Sequence, residues 1–483
     1  MLITDAILNG QWFDGTWQDA VSTTPVQSPA TGERWGAAAS MSREEVLAAA
    51  ASAAAAQREW AAKRPTERAA VLRRAGHLFE EHAQEIQSWL VSEAGSIQPK
   101  AGLETHIAAE ECYEASALPT LPLGEVLSTD ESRWSQARRR PAGVVSVIAP
   151  FNFPLILSIR SVAPALALGN AVLLKPDPRT AVSGGVVLAR IFEEAGLPAG
   201  LLQLLPGGRE AGEAVVEAPE VRVVAFTGST AAGRAVGEAC AKLIKRAHLE
   251  LGGNNALIVL PGADLGKAAS AAAFGSFMHQ GQICMTTGRH VVHRDIHDEY
   301  VTRLAEKARH LPVGDPAAEQ VALGPIIDEN QLKLIDSIVQ DTLLGGGNLA
   351  AGGTYEGQFY KPTVLTDLDR ESPAWSQEIF GPVAPVMAFD TVDEAVELVN
   401  SSEYGLSVGI LGEVGEAMEI ADRIEAGKVH INEQTVSDEA TAPFGGFKDS
   451  GNGSRVGSHA ANLEAFTETQ WLTIRPEIAE YPF

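Results

Sequence analysis

The sequence predicts an α/β protein built on two parallel-sheet units with a small β appendage. Three observations carry this. Short apolar, β-branched runs, GVVSVIAP (143–150), AVLLKP (171–176), LLQLLPG (201–207), VRVVAFTGS (221–229) and ALIVL (256–260), alternate with helix-compatible segments at 155–169, 180–196, 208–218 and 230–247. Apolar strands separated by helices are what a parallel sheet covered on both faces requires. A second alternation follows: RHVVHRD, a helix at 297–310, APVMAFD, a helix at 392–401, GLSVGIL, a helix at 414–426 and KVHIN. Finally, 483 residues are too many for one compact core.

The remaining segments can be placed in order. Ser42 and Glu45 form a capping-box pattern ahead of an alanine-rich helix. A second helical run, 68–95, spaces Val71, Leu72, Leu78, Phe79, Ile86 and Leu90 on one face, and Gly95 suits its stop. Segment 123–141 is polar and ends in Arg138-Arg139-Arg140, and the tail 467–483 alternates like an edge strand. Both fit neither sheet and read as an arm and a tail that pair across a subunit interface. The division expected is 1–122 with 142–252 as one unit, 253–449 as the second, and 123–141 with 467–483 as the appendage.

Composition narrows the function. A net charge of −25 disfavours nucleic acid and anionic membrane as partners. The three cysteines, Cys112, Cys240 and Cys284, match neither a disulfide framework nor a metal-site spacing, and a cytoplasmic setting is expected. The uncharged stretch Pro141–Ile159 is long enough to cross a bilayer, but its prolines would leave backbone groups unpaired in lipid, so it reads as a buried strand and turn. The N-terminus has no basic n-region, so no signal peptide is expected.

In parallel sheets ligands sit at the carboxyl ends of strands, so the residues just after each strand are the candidates. They are Asn152 within PFNFP, Lys175, the turn Gly228-Ser229…Gly233 opening a helix, and Glu250 ahead of Gly252-Gly253. Beyond them lies Cys284, alone among small polar residues in HQGQICMTTGR. Each also has a plainer reading. Asn152 suits a turn, Lys175 a solvated surface, Gly228…Gly233 a tight strand–helix connection, Glu250 a salt bridge, and Cys284 a small core residue.

Taken together, APFNFPL, LLKPDP, FTGSTAAG, LELGGNN, GQIC, FYKPTVL, EIFGPV and PFGGFKDSGNG resemble the aldehyde dehydrogenase superfamily over nearly the whole chain. The strings RSVAPALALGNAVLLKPDPRT and HINEQTVSDEATAPFGGFKDSG are most similar to the benzaldehyde and related aromatic-aldehyde dehydrogenases. The resemblance implies the aldehyde dehydrogenase fold: a Rossmann-like cofactor domain, a second α/β catalytic domain, and a β oligomerisation arm. It also implies a homodimer or homotetramer.

The implied chemistry starts with attack of the Cys284 thiolate on the aldehyde. The Asn152 amide and the Cys284 N–H hold the oxyanion. Hydride leaves to a nicotinamide cofactor, and Glu250 activates water to hydrolyse the thioester. By the same resemblance Lys175 contacts the adenosine ribose, and Gly228, Ser229 and Gly233 belong to the phosphate turn. Glu378 binds the nicotinamide ribose and Phe380 packs near the ring. Pro178 stands where many NAD-preferring members carry glutamate, so NAD is expected with NADP still open. No metal is expected. A cysteine acyl-hydrolase and a CoA-acylating dehydrogenase are the alternatives, and Lys175 with the glycine turn, and Glu250, respectively, argue against them.

No lysine or arginine lies between Gly275 and Gly288. Phe153, Phe277, Met278, Ile283, Met285 and Phe444 are therefore expected to form an apolar mouth for an aromatic ring.

Overall fold

A computed structural model describes all 483 residues. Both predicted sheets form, but ALIVL (256–260), expected in the first series, lies at the middle of the second sheet as Asn255–Val259. In the first, five parallel strands run in the order Arg246–Glu250, Val221–Thr227, Val144–Ile148, Ala171–Lys175 and Leu202–Leu204. The N-terminal hairpin Gln11–Phe13 and Trp17–Asp19 extends it antiparallel. The chain steps outward from Val144–Ile148 in one direction, then returns to place Val221–Thr227 on its other side. That reversal opens a crevice where the two strands diverge.

The second sheet orders Asn348–Ala351, Thr363–Thr366, Val383–Phe389, Thr287–His293, Asn255–Val259, Ser407–Leu411 and Lys428–Ile431, parallel except for its first strand. Its two faces are covered by separate apolar clusters, as a parallel sheet demands.

Several elements differ from expectation. The helix expected at 230–247 ends at Leu243, because Ile244 turns left-handed (φ 55°). The residues after it form the fifth parallel strand, Arg246–Glu250, whose half-polar RAHLE run hid it. The run 68–95 divides at His82 into helices Pro65–Glu81 and Ala83–Ala94. A further helix, Gln98–Ala117, escaped because its buried face carries Lys100, Glu104, Thr105 and Glu111, so no apolar period marks it.

The segment expected as helix 180–196 begins as a 3₁₀ turn and one π-helical turn, Val182–Val186, before the α-helix Val187–Glu194. Buried Glu93 holds that start, accepting from Val182 N (2.9 Å), Ser183 N (2.7 Å) and Ser183 Oγ (2.6 Å).

The arm and tail pair with one another within the chain. Trp134–Pro141 lies between Gly124–Val126 and Thr467–Ile474 in an antiparallel three-stranded sheet. Pro141–Ile159 is divided among the end of that arm, a buried strand and the start of helix Pro154–Ala167; no helix is long and apolar enough to cross a membrane.

The capping box is present at helix Arg43–Ala62: Ser42 Oγ accepts from Glu45 N (3.3 Å), and Glu45 Oε2 accepts from Ser42 N (2.7 Å). Ser42→Ala is expected to lower stability by about 1 kcal/mol, read as an earlier urea midpoint; an unchanged midpoint would show that solvent caps this helix equally well.

Candidate active site

The two sheets meet across a cleft of about 470 Å³. The first sheet supplies residues that follow its strands: Pro150, Phe151 and Asn152; Lys175 and Asp177; Gly228 and Ser229; and Leu251 with Gly252. The second sheet contributes Cys284, Glu378 and Phe380, which precede their strands. The cleft thus lies between carboxyl ends on one side and amino ends on the other.

Cys284 is half-buried and stands after an unusual turn. His279 (φ 48°), Gln280 (φ 56°) and Gly281 (φ 67°) are successively left-handed. Two non-glycine residues there are strained and persist only if held. They are held: Gln280 Nε2 donates to the Pro325 carbonyl (2.9 Å), and Gln282 Oε1 accepts from Ile327 N (3.0 Å). At Gly281 an added Cβ would lie 2.1 Å from the Gly381 carbonyl oxygen, so this glycine is required for space as well as for φ. Beyond the turn, Asn255 Nδ2 donates to the Cys284 carbonyl (2.8 Å) and Thr435 Oγ1 to that of Met285 (2.6 Å). The thiol is therefore carried on a fixed backbone. Burial pushes it up to about 12, the Lys428 charge opposing and Glu378, Asp438 and Glu250 reinforcing that rise.

Asn152 is buried at the entry to helix Pro154–Ala167. An ion pair absent from the sequence reading fixes it. Lys100 Nζ donates to Glu104 Oε2 (2.6 Å), Ser96 Oγ (3.0 Å) and the Asn152 carbonyl (2.8 Å). The other Glu104 oxygen accepts from Leu155 N (2.8 Å) and Ile156 N (3.4 Å), capping the helix from outside. The i,i+4 spacing of Lys100 and Glu104 was the available signal.

Glu250 ends its strand with both carboxylate oxygens buried and without partners. Desolvation raises it well above the ordinary carboxylate range, although Arg455, Arg160 and Lys428 pull the other way. It lines a small cavity with Leu157, Arg160, His248 and Phe444, and Leu157 also lines the main cleft. Arg160 and Lys428 bring to this region the cations that the segment between Gly275 and Gly288 lacks. Arg160 donates to Glu111 (2.8 Å) and Asp438 (2.6 Å), and both cations stack on the Phe444 ring, at 5.2 and 4.1 Å from its centre. They come from Pro154–Ala167 and Lys428–Ile431, far from Cys284 in sequence, so a local window could not show them.

On the other side of the cleft, Ser229 caps helix Thr230–Leu243, its hydroxyl accepting from Ala232 N. Gly233 does not face the cleft; an added Cβ would meet the Leu251 side chain at 2.2 Å, so its smallness serves helix–strand packing. Glu378 Oε1 accepts from Gly253 N (2.9 Å), and burial raises its carboxyl to about 7. Phe380, left-handed (φ 52°), meets Phe151 edge to face, and Gln331 Nε2 holds its carbonyl (3.1 Å). Phe151 itself went unassigned from sequence; it also carries the Arg179 guanidinium 4.2 Å above its ring.

The apolar mouth needs correction. Phe277 and Met278 line a separate groove with Phe274, because they end the preceding helix before the left-handed turn redirects the chain. Phe153 packs on the His279 ring and under the Lys100 ammonium (4.3 Å). Ile283 is a core residue, and Met285 is buried with its sulfur 3.2 Å from Lys428 Nζ. Of the six expected residues, Phe444 lines a cavity beside Glu250.

Comparison with known proteins gives one family. A protein-family model described as "Aldehyde dehydrogenase family" matches residues 17–472. The chain is 61% identical to a vanillin dehydrogenase from Amycolatopsis sp., covering 100% of this chain and 99% of that one. It is 46% identical to a benzaldehyde dehydrogenase [NAD(+)] from Pseudomonas putida, over 98% of each. Among solved structures, a salicylaldehyde dehydrogenase from Pseudomonas putida G7, complexed with salicylaldehyde, superimposes with a TM-score of 0.94 at 34% identity, covering 98% of this chain and 99% of that one.

Lys100→Met would leave Glu104 buried without its ionic partner. A loss of about 3–5 kcal/mol is expected, measured by urea unfolding; a loss below about 1 kcal/mol would show that the two groups are not an ion pair.

Proposed function

Because the chain belongs to the aldehyde dehydrogenase family, we propose that it oxidises an aromatic aldehyde, benzaldehyde-like or vanillin-like, to the carboxylic acid with NAD as acceptor. The observation that carries this reading is the convergence of Cys284, Asn152, Glu378 and Phe380 on one cleft that continues past Lys175 to the capped helix at Ser229.

The residues fit a dinucleotide. A helix N-terminus capped by Ser229 offers N–H groups to a pyrophosphate. Lys175 lines both the cleft and the adjoining groove, where it can donate to ribose hydroxyls. Glu378 keeps one carboxylate oxygen beyond its bond to Gly253 for the nicotinamide ribose, with Phe380 beside it. Pro178 lines the groove without a carboxylate, and Asp177 is tied to Arg179 (2.8 Å). Position 178 therefore offers nothing to repel a 2′-phosphate, and the assay includes NADP.

Within this reading the Cys284 thiolate attacks the carbonyl carbon, and the Asn152 amide with the Cys284 N–H receives the oxyanion of the thiohemiacetal. When bound, NAD supplies the hydride acceptor that makes oxidation to the thioester possible. Glu250, unpaired and held high by burial, takes a proton from water as it adds to the thioester carbonyl; the thiolate leaves with the C–S electron pair. Water activation at this carboxylate supports hydrolysis over transfer to CoA, and the dinucleotide groove has no task in a simple acyl-hydrolase.

We read the chain as a dinucleotide unit (1–122 and 142–252), a catalytic unit (253–449) and an arm with tail, a division that the two separate sheets support. Exposed Val126, Trp134 and Trp471 on the three-stranded sheet support its reading as an oligomerisation surface for a homodimer or homotetramer.

Initial rates at 340 nm with benzaldehyde, vanillin and an aliphatic aldehyde, each with NAD and NADP, test the proposal; no reduced dinucleotide with either aromatic substrate would overturn it. Cys284→Ala is expected to lower turnover by at least about 10³-fold while retaining NAD binding by fluorescence titration. Appreciable residual rate would remove the nucleophile assignment.

For Glu250 the pH sign follows from its state. Its raised carboxyl is protonated below its pKa and is a base above it. Deacylation should therefore fall as pH drops through a value well above the ordinary carboxylate range. Glu250→Gln should abolish that limb and leave a burst of about one reduced dinucleotide per site before slow turnover. A wild-type-like steady state without a burst would assign the base elsewhere.

A further inference from the structure

Lys428 opens the strand Lys428–Ile431, yet its side chain is turned inward and is 9% exposed. Burying an ammonium is costly unless its donors are used. Its Nζ donates to the Ser437 carbonyl (2.9 Å) and to the Met285 sulfur (3.2 Å), faces Asp438 Oδ1 at 3.5 Å, and stands 4.1 Å from the centre of the Phe444 ring. Met285 follows Cys284 directly. Since Asn255 and Thr435 fix the carbonyls of both residues, the lysine's place relative to the thiol is fixed too.

The charges around the pair are otherwise unfavourable to a thiolate. Glu378, Asp438 and Glu250 disfavour its charge, and Lys428 is the cation that acts against them. Around Lys428 itself stand Asp438, Arg160 and Cys284, with His430 on its own strand. Asp438 is shared, because Arg160 Nη1 also donates to it (2.6 Å) while Glu111 takes Arg160 Nε. Arg160 and Arg455 act on Glu250, as Lys428 itself does. Lys428 is thus only partly neutralised, and its remaining field falls on both the nucleophile and Glu250.

We propose that Lys428 is a positioning residue for the reaction: it holds positive charge beside Cys284 and sets the fraction of that residue present as thiolate. The proposal rests on the reading of Cys284 as the nucleophile. Ionisation releases the thiol proton to bulk water through the cleft, and no other bond changes. A nearby cation is a general means of keeping a cysteine reactive despite burial. Met285 and Phe444 hold the ammonium in place, giving these two buried apolar residues a task other than lining a mouth.

The test is the pH dependence of alkylation of Cys284 by iodoacetamide, a neutral reagent whose rate follows the thiolate. Labelling is followed by mass spectrometry of the Cys284 peptide, which separates it from the buried Cys112 and Cys240. Lys428→Met should move the alkylation midpoint up by about one pH unit, so that labelling near neutrality slows about tenfold. Lys428→Arg, which keeps the charge, should recover at least half of that shift.

Lys428→Gln, which can still donate to Ser437, reads the same quantity if the methionine variant does not fold. A midpoint unchanged in a folded neutral variant overturns the proposal. So does an arginine variant displaced as far as the neutral ones, because packing alone would then be the role. Alkylation needs neither aldehyde nor dinucleotide, so this outcome stays separate from failure of the dehydrogenase reading, which shows as absent dinucleotide reduction.

Discussion

Everything chemical in this molecule depends on burying two acids, the Cys284 thiol at the main cleft and the Glu250 carboxyl in the small cavity that shares Leu157 with it. Removing an ionisable group from water disfavours its charged form, and both are shifted upward by burial. Glu250 goes further: no hydrogen bond compensates either oxygen. An uncompensated buried carboxyl works against stability, and it survives here because the first sheet, helix Pro154–Ala167 and the residues Phe444 and Val456 make the surrounding wall. The same isolation leaves its lone pairs free for a water molecule, which a salt-bridged carboxylate could not offer.

Holding that wall in register requires charge elsewhere. The Lys100–Glu104 pair ties the first helical layer to the Asn152 turn, and Arg160 joins Glu111 to Asp438 across the two units. Such buried pairs add little net stability compared with apolar packing. Their geometric effect is larger: each fixes a backbone group or a charge that borders the cleft. The left-handed turn at His279–Gly281 is fixed in the same manner, by side-chain amides reaching into neighbouring segments.

The two sheets contribute unequally legible residues. Candidates that follow strands of the first sheet, Asn152, Lys175, Gly228, Ser229 and Glu250, could be found by asking what lies at carboxyl ends. Cys284 and Glu378 precede strands of the second sheet, and that question passes over them. They were found by the lone thiol in a small, polar segment and by resemblance. Phe277 and Met278 show the limit of sequence proximity, since one left-handed turn separates them from the thiol they nearly adjoin.

By itself the sequence determined the alternation of strands and helices, hence both parallel sheets, the capping box at Ser42, and the resemblance that names Cys284, Glu250 and Asn152. These rest on local patterns: apolar period, caps and short motifs. Only the tertiary structure decided which charges surround the nucleophile, that Glu250 has no partner, and that the mouth residues disperse among four environments. Burial and electrostatic fields are set by groups distant in the chain, such as Arg160 and Lys428, and no local window contains the distances on which they depend.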